Sequence, residues 1–188
     1  MVGNDEKAEK QLPKRKPNRL SGFDYSTSGA YFVTICTQNR RCILSKIVGD
    51  GFPVPKVPGE IAARMIEEIP KRFIGVSVEQ FVIMPNHIHM ILVMENMEEL
   101  VKTTPVLGEV VAWYKYNTTR QINLKQGTVG QRVFQRSYHD HVIRNEKDHR
   151  KIWTYIECNP MLWAEDCFYS SEEDEGSGTG NPSPTKYR

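Results

Sequence analysis

Two histidines separated by a single isoleucine, His87-Ile88-His89, follow a Pro85-Asn86 kink inside an otherwise apolar run, Gln80 to Met94. Residues i and i+2 of a strand share a face, so both imidazoles would project together while Ile88 and Met90 turn the other way. Adjacent imidazoles are poor core filler and form a natural half of a divalent-metal site; the plainer alternative is a pair of half-buried histidines with satisfied nitrogens. A second pair, Tyr155 and Asn159, is four residues apart, which places both on one face of a helix. A phenol can act as nucleophile in phosphoryl transfer, and an amide oxygen is a hard metal ligand. Spacing alone favours a plainer reading for this pair, a packing stripe of Ile152, Tyr155 and Ile156 ending in an Asn cap. The chain contains no Gly-rich phosphate loop, no Gly-x-Ser-x-Gly and no Cys/His finger spacing.

The elements that must position these residues follow from periodicity. Ala30 to Thr37 is β-branched and aromatic and predicts a first strand, onto which Cys42 to Leu44 would pair back. Gly49 to Pro58 holds three prolines and two glycines and predicts a loop. Ile61, Met65, Ile66 and Ile69 give an apolar stripe for a helix from Pro58 to about Arg72. A hairpin of Val76 to Met84 and His87 to Met94 carries the histidines. Thr103-Thr104-Pro105 introduces a helix from Val106 to about Leu124, and Val133 to Ile143 predicts the last strand. Asn145, with Asp148 three residues on, caps a final helix from Glu146 to Cys158 that carries Tyr155 and stops at Asn159-Pro160. The order ββαββαβα predicts an α+β layer structure, a mainly antiparallel sheet with helices packed on it.

Composition bounds the rest. With 188 residues, 39% hydrophobic and 26% charged, the chain suits one globular domain flanked by tails. No apolar run reaches the length of a membrane span, and the polar N-terminus is unlike a signal peptide, so no membrane partner is expected. Cys36, Cys42, Cys158 and Cys167 lack any paired spacing and are expected to be reduced thiols of a cytoplasmic protein. The net charge of +2 conceals an asymmetry: six acids and two bases lie from Glu165 onward, leaving 23 bases against 17 acids before it. A basic body suits a polyanionic partner. Residues 1–18 read as a disordered basic arm, 19–169 as the folded domain, and 170–188 as a disordered Gly/Ser/Pro and acidic tail. For nucleic acid, Arg15, Arg19, Lys115, Arg120, Arg132, Arg136 and Arg144 could meet phosphates, and Trp113, Tyr114 and Tyr116 offer flat surfaces for bases. His139, His141 and His149 titrate near neutrality, though a surface position is the expectation for each.

Several of these stretches resemble a known family. Pro85-Asn86-His87-Ile88-His89 is similar to the HUH motif of single-strand DNA endonucleases. Tyr155-Ile-Glu-Cys-Asn159-Pro160 resembles the tyrosine motif of single-tyrosine insertion-sequence transposases, and in particular their REP-associated tyrosine transposase branch. Phe23 to Ser26, Ala30 to Arg40, Leu107 to Val111, Tyr114-Lys115 and Gln135 to Tyr138 resemble that branch too, so the likeness spans about Arg19 to Asp166. The resemblance implies a ferredoxin-like fold. It also implies that His87, His89 and Asn159 hold Mg²⁺ or Mn²⁺, and that Tyr155 attacks DNA to leave a 5′-phosphotyrosine and a free 3′-OH. The implied substrates are single-stranded DNA hairpins of palindromic repeats in the bacterial nucleoid, handled by a monomer or a homodimer. Two other readings of the same residues are a domesticated hairpin-binding protein that does not cleave, and a zinc hydrolase built on His-x-His.

Overall fold

The structure, a computed structural model, describes residues 28–95 and 105–169. Its centre is a four-stranded antiparallel sheet in the order β4-β5-β1-β6, made by β1 (Gly29–Cys36), β4 (Val76–Ile83), β5 (His87–Met94) and β6 (His139–Ile143). Between β1 and β4 lie a small hairpin, β2 (Ser45–Val48) and β3 (Phe52–Pro55), and the helices α1 (Val57–Glu67) and α2 (Ile69–Arg72). Helix α3 (Leu107–Gln126) connects β5 to β6, and α4 (Glu146–Cys158) follows β6. Within the large sheet this is a βαββαβ chain with β1 and β5 at the centre, the ferredoxin-like split arrangement.

Alternation along the central strands divides the core into two. Ile88, Met90 and Leu92 of β5, with Tyr31, Val33 and Ile35 of β1, face α1 and α3. Phe32 and Ile91 face the opposite way and pack against Ile152 and Ile156 of α4. The sheet is therefore covered on both faces, which is why β5 reads as a nearly unbroken apolar run. The histidines fall together on the α4 side, opposite Ile88 and Met90, as alternation along the strand predicts.

Four boundaries differ from the sequence expectation. Cys42 to Leu44 does not join β1. Leu44 is instead held by Pro85 and Lys56 through backbone bonds of 3.0 and 2.8 Å, and the hairpin begins at Ser45. The Gly49 to Pro58 stretch contains β3, whose prolines are tolerated because it is one half of a separate two-stranded ribbon. The helix expected through Arg72 breaks at Glu68, since Pro70 follows in the next turn and cannot donate to an i−4 carbonyl. The last strand is only five residues long, with an isolated bridge from Thr37 to Phe134 upstream of it. Other ends agree closely: Asn145 Oδ1 accepts the Asp148 N–H at 2.9 Å and starts α4 as predicted. The Thr103-Thr104 cap, the N-terminal arm and the C-terminal tail lie outside the described residues.

Candidate active site

The site is built on the first residues of β5. The Pro85-Asn86 kink is fixed by Thr37 and Leu44, whose N–H groups are donated to the carbonyls of Asn86 and Pro85 at 2.8 and 3.0 Å. Pinned this way, His87 and His89 stand side by side with ring centroids 4.4 Å apart, and both are fully buried. Asn86 donates its amide N–H to the Phe168 carbonyl, and its Oδ1 accepts from His87 Nδ1 at 2.9 Å. That bond selects the Nδ1–H tautomer and leaves the Nε2 lone pair of His87 pointing into the site, without a hydrogen-bond partner. His89 Nδ1 lies 2.8 Å from Thr34 Oγ1, and Phe32 stacks on the His89 ring. Burial lowers the pKa of His87 well below its usual value and that of His89 to about 3, reinforced by His89 and Arg40 for the first and His139 for the second. Neutral imidazoles are what metal coordination requires.

Helix α4 brings the second half. Ile152 and Ile156 anchor it to the sheet, and this sets Tyr155 over β5 with its hydroxyl 3.4 Å from His89 Nε2. The Tyr155 ring meets Phe32 edge-on at 6.1 Å. Burial raises the phenol pKa, and Asp166 and Cys167 raise it further against a smaller opposing effect of Asn159. Asn159, one turn on, is buried at the end of α4; its Nδ2 donates to Asp166 Oδ2 at 2.7 Å while its Oδ1 has no partner.

Asp166 is the residue that sequence reasoning missed. Counted with Glu165 as the beginning of an acidic tail, its side chain is in fact only 1% exposed and its Oδ2 lies 3.9 Å from His87 Nε2. The turn after α4 folds it inward, where its Oδ1 also accepts the Phe168 N–H at 2.7 Å. No local spacing marks it, because six residues of turn and short 3-10 helix separate it from Asn159. Phe168, with its ring centroid 4.7 Å from that of His87, closes the wall, and the Arg40 guanidinium lies over the Phe168 ring. His87, His89 and Asp166 form a group whose ligand atoms lie within 4.8 Å of one another, close enough to hold a metal ion. The donor set fits such an ion on its own terms: an imidazole nitrogen without a hydrogen-bond partner stands 3.9 Å from a buried carboxylate, and the Oδ1 of Asn159, whose Nδ2 bonds that carboxylate, also lacks a partner, a cost a cation would relieve.

The expected DNA contacts divide. Arg120, Arg132 and Arg136 are exposed around a groove of about 850 Å³ between α3 and residues 127–136, which Tyr116 also lines. Arg144 is exposed between β6 and α4, away from that groove. Tyr114 is corrected: it is fully buried and donates its hydroxyl to the Ala62 carbonyl at 3.2 Å, so no base can stack on it. Lys115 also lines the groove, half-buried, and its ammonium donates to the carbonyls of Gln135, Arg136 and Ser137. Trp113 packs on Phe73 as a core residue would. Arg15 and Arg19 lie outside the described residues. Of the other three histidines, His141 bonds Asp148 and His149 bonds Glu79. His139 stands in register with Thr34, which pairs with His89 on its other side, so β1 lies between the two histidines.

No protein-family model matches the chain. An uncharacterized protein of Haemophilus influenzae Rd is 31% identical over 170 residues, spanning 82% of this chain and 93% of that one. The chain belongs to the family of that Haemophilus protein. A solved structure of a REP-associated tyrosine transposase bound to a REP hairpin aligns with a TM-score of 0.51 at 20% identity, over 80% of this chain and 73% of that one. The fold is thus the α+β fold of that transposase, in agreement with the motifs that drew the resemblance from sequence. Among the described residues no helix is long and apolar enough to cross a membrane.

Proposed function

We propose that this protein is a REP-associated tyrosine transposase: it binds single-stranded DNA hairpins formed by palindromic repeats and cleaves beside them through Tyr155. The observation that carries this reading is the placement of the Tyr155 hydroxyl 3.4 Å from His89 Nε2, within one chain and beside the unpartnered atoms of His87 and Asn159. His87, His89, Asn159 and Asp166 would hold a divalent ion, Mg²⁺ or Mn²⁺. When bound, such an ion offsets the negative charge that a phosphodiester gathers on its non-bridging oxygens during displacement.

The chain's own residues supply the remainder. Asn86 and Thr34 orient the two imidazoles, and Phe168 and Trp163 pack against the His87 ring to limit water there. Phe32 supports both the His89 ring and the Tyr155 ring, so the nucleophile and the histidines share one rigid base. Tyr155 Oη forms a bond to phosphorus as the bond from phosphorus to the 3′ oxygen breaks. The phenol gives up its proton and the leaving 3′ oxygen gains one, so the step balances as a 5′-phosphotyrosine and a 3′-OH. The phosphotyrosine conserves the phosphodiester linkage, so a second 3′-OH can reverse the step and join a different end. Such an enzyme works on chromosomal DNA at the bacterial nucleoid.

The test is a labelled repeat hairpin with a single-stranded flank, incubated with Mn²⁺ and run on a denaturing gel. Wild-type protein should yield a covalent adduct that EDTA abolishes. Tyr155→Phe should form no adduct and keep its affinity for the hairpin. Cleavage by Tyr155→Phe would overturn the assignment in favour of a water nucleophile.

A further inference from the structure

The turn after β1 holds an unusual backbone. Asn39 and Arg40 both have φ 55°, and among the described residues no others except glycines have a positive φ. Asparagine tolerates the left-handed region, but for arginine, whose Cβ crowds the following carbonyl, it is unfavourable. The surroundings impose it. Thr37, fully buried, directs its hydroxyl at the carbonyls of Arg41 and Asn86, at 2.9 and 3.0 Å. The Arg40 N–H is donated to the Thr37 carbonyl at 3.1 Å, and the Arg41 guanidinium reaches the Arg132 carbonyl at 3.3 Å. Backbone strain that neighbouring structure over-determines is concentrated at functional sites.

The turn leaves Asn39 exposed and Arg40 half-buried, with the Arg40 guanidinium 5.4 Å from the centroid of the Phe168 ring. The same ring packs on His87, with 4.7 Å between centroids, so one aromatic wall carries both the cation and a candidate metal ligand. The charge is felt at the ends of two strands. Burial is the main reason that His87 and His139 are held below their ordinary pKa. The Arg40 charge adds to it in both, together with His89 at the first and against Asp140 at the second. The guanidinium therefore stands at the end of the sheet that carries the site. Held over an aromatic face, it offers a planar fork of donors and a charge that does not titrate.

We infer that Arg40 is a catalytic residue, its guanidinium bonding a non-bridging oxygen of the phosphate that Tyr155 attacks. The inference rests on the cleavage reading above and deepens it, by giving the reaction a positive group that belongs to the chain itself. A phosphodiester under displacement gathers charge on its non-bridging oxygens, and a forked cation bonds such oxygens directly. Arg40 neither gains nor loses a proton, so the balance of the step is unchanged. The plainer role is a prop for Phe168, which needs a cation over the ring and no contact with DNA. The two roles differ in whether the charge of the phosphate matters.

The experiment measures single-turnover adduct formation with Mn²⁺ on two labelled repeat hairpins with a single-stranded flank. One is natural; the other carries a methylphosphonate, which lacks the anionic oxygen, at the linkage that the wild-type adduct maps. On the natural hairpin Arg40→Ala and Arg40→Gly should react about a hundredfold more slowly than wild type, the scale of a lost transition-state donor, while binding it within about twofold. Arg40→Gly also relieves the left-handed strain, so its melting temperature should not fall. On the methylphosphonate the gap between wild type and both variants should shrink to about threefold or less, because the charge that Arg40 meets is gone. The inference is overturned if the variants match wild type on the natural hairpin, or if the same deficit persists on the methylphosphonate. Hairpin affinity that falls as far as the rate, or a melting temperature lowered by several degrees in both variants, also overturns it and marks a prop. Wild-type protein that forms no adduct removes the cleavage reading and this inference together, whereas wild-type adduct with unimpaired variants removes only the role of Arg40.

Discussion

At the scale of the residue, the site gathers polar atoms that are unfavourable without a cation. Asp166 adds the one formal negative charge to a ligand group of two neutral histidines. Asp166→Asn keeps an acceptor for the Phe168 N–H and removes the charge, so calorimetric titration should find Mn²⁺ affinity reduced at least about tenfold. An unchanged affinity would show that the histidines and Asn159 suffice. Sequence reasoning reached His87 and His89 because alternation along a strand is a strong rule. It reached Tyr155 and Asn159 only through the resemblance, since i,i+4 pairs are also what any packed helix has. It missed Asp166 because an irregular turn leaves no periodic mark. Tyr114 and Tyr116 show the same limit: both are aromatic residues in one basic helix, and only packing against α1 tells the core ring from the exposed one.

At the scale of the element, α4 is docked by few residues, and the position of Tyr155 depends on them. Ile152 and Ile156 are each 1% exposed against Phe32, Val82, Met84 and Ile91. Truncating either to Ala should cost about 2–5 kcal/mol of stability. Below the melting temperature, Ile156→Ala should lower adduct yield more than hairpin affinity, because it loosens the nucleophile and leaves the groove on α3 untouched. Parallel anisotropy and gel assays check this; an equal fall in both would mean that α4 supports binding as well. The caps and centre of α4 were legible in advance from Asn145 and the stripe of isoleucines. The break after α1 was not foreseen, although Pro70 was in view, because the apolar stripe continues to Ile69 across it. Gly59, in the first turn of α1, is a further constraint that composition hides. A Cβ there would sit 2.1 Å from the Leu44 carbonyl oxygen, a backbone atom already engaged by Lys56. Gly59→Ala should therefore lower stability by about 1–3 kcal/mol, read as a fall in melting temperature of several degrees.

At the scale of the molecule, one chain places the Tyr155 hydroxyl 3.4 Å from His89 Nε2, and the proposed function takes the site as working in cis. Mixing His87→Ala/His89→Ala protein with Tyr155→Phe protein should therefore restore no adduct. Recovery on mixing would instead demand an exchanged α4 between two copies. The fold class was readable from the order of elements, because alternating hairpins and helices leave few ways to cover one sheet. The covering of the second face by α4 was not readable, because nothing in an amphipathic helix states which side of a sheet it will meet.

The clamp on Lys115 has a consequence for how such proteins diversify. Its ammonium holds main-chain oxygens of residues 135–137, and every amino acid carries the same oxygen there. The side chains of Gln135, Arg136 and Ser137 can therefore be exchanged without loosening the wall they stand on, save for proline at 135, whose N–H is committed to Cys36. Geometry is inherited from one lysine while the lettering of the surface stays open to change. On the proposed function, substitutions there would alter the surface offered to DNA while leaving its distance to the candidate site unchanged.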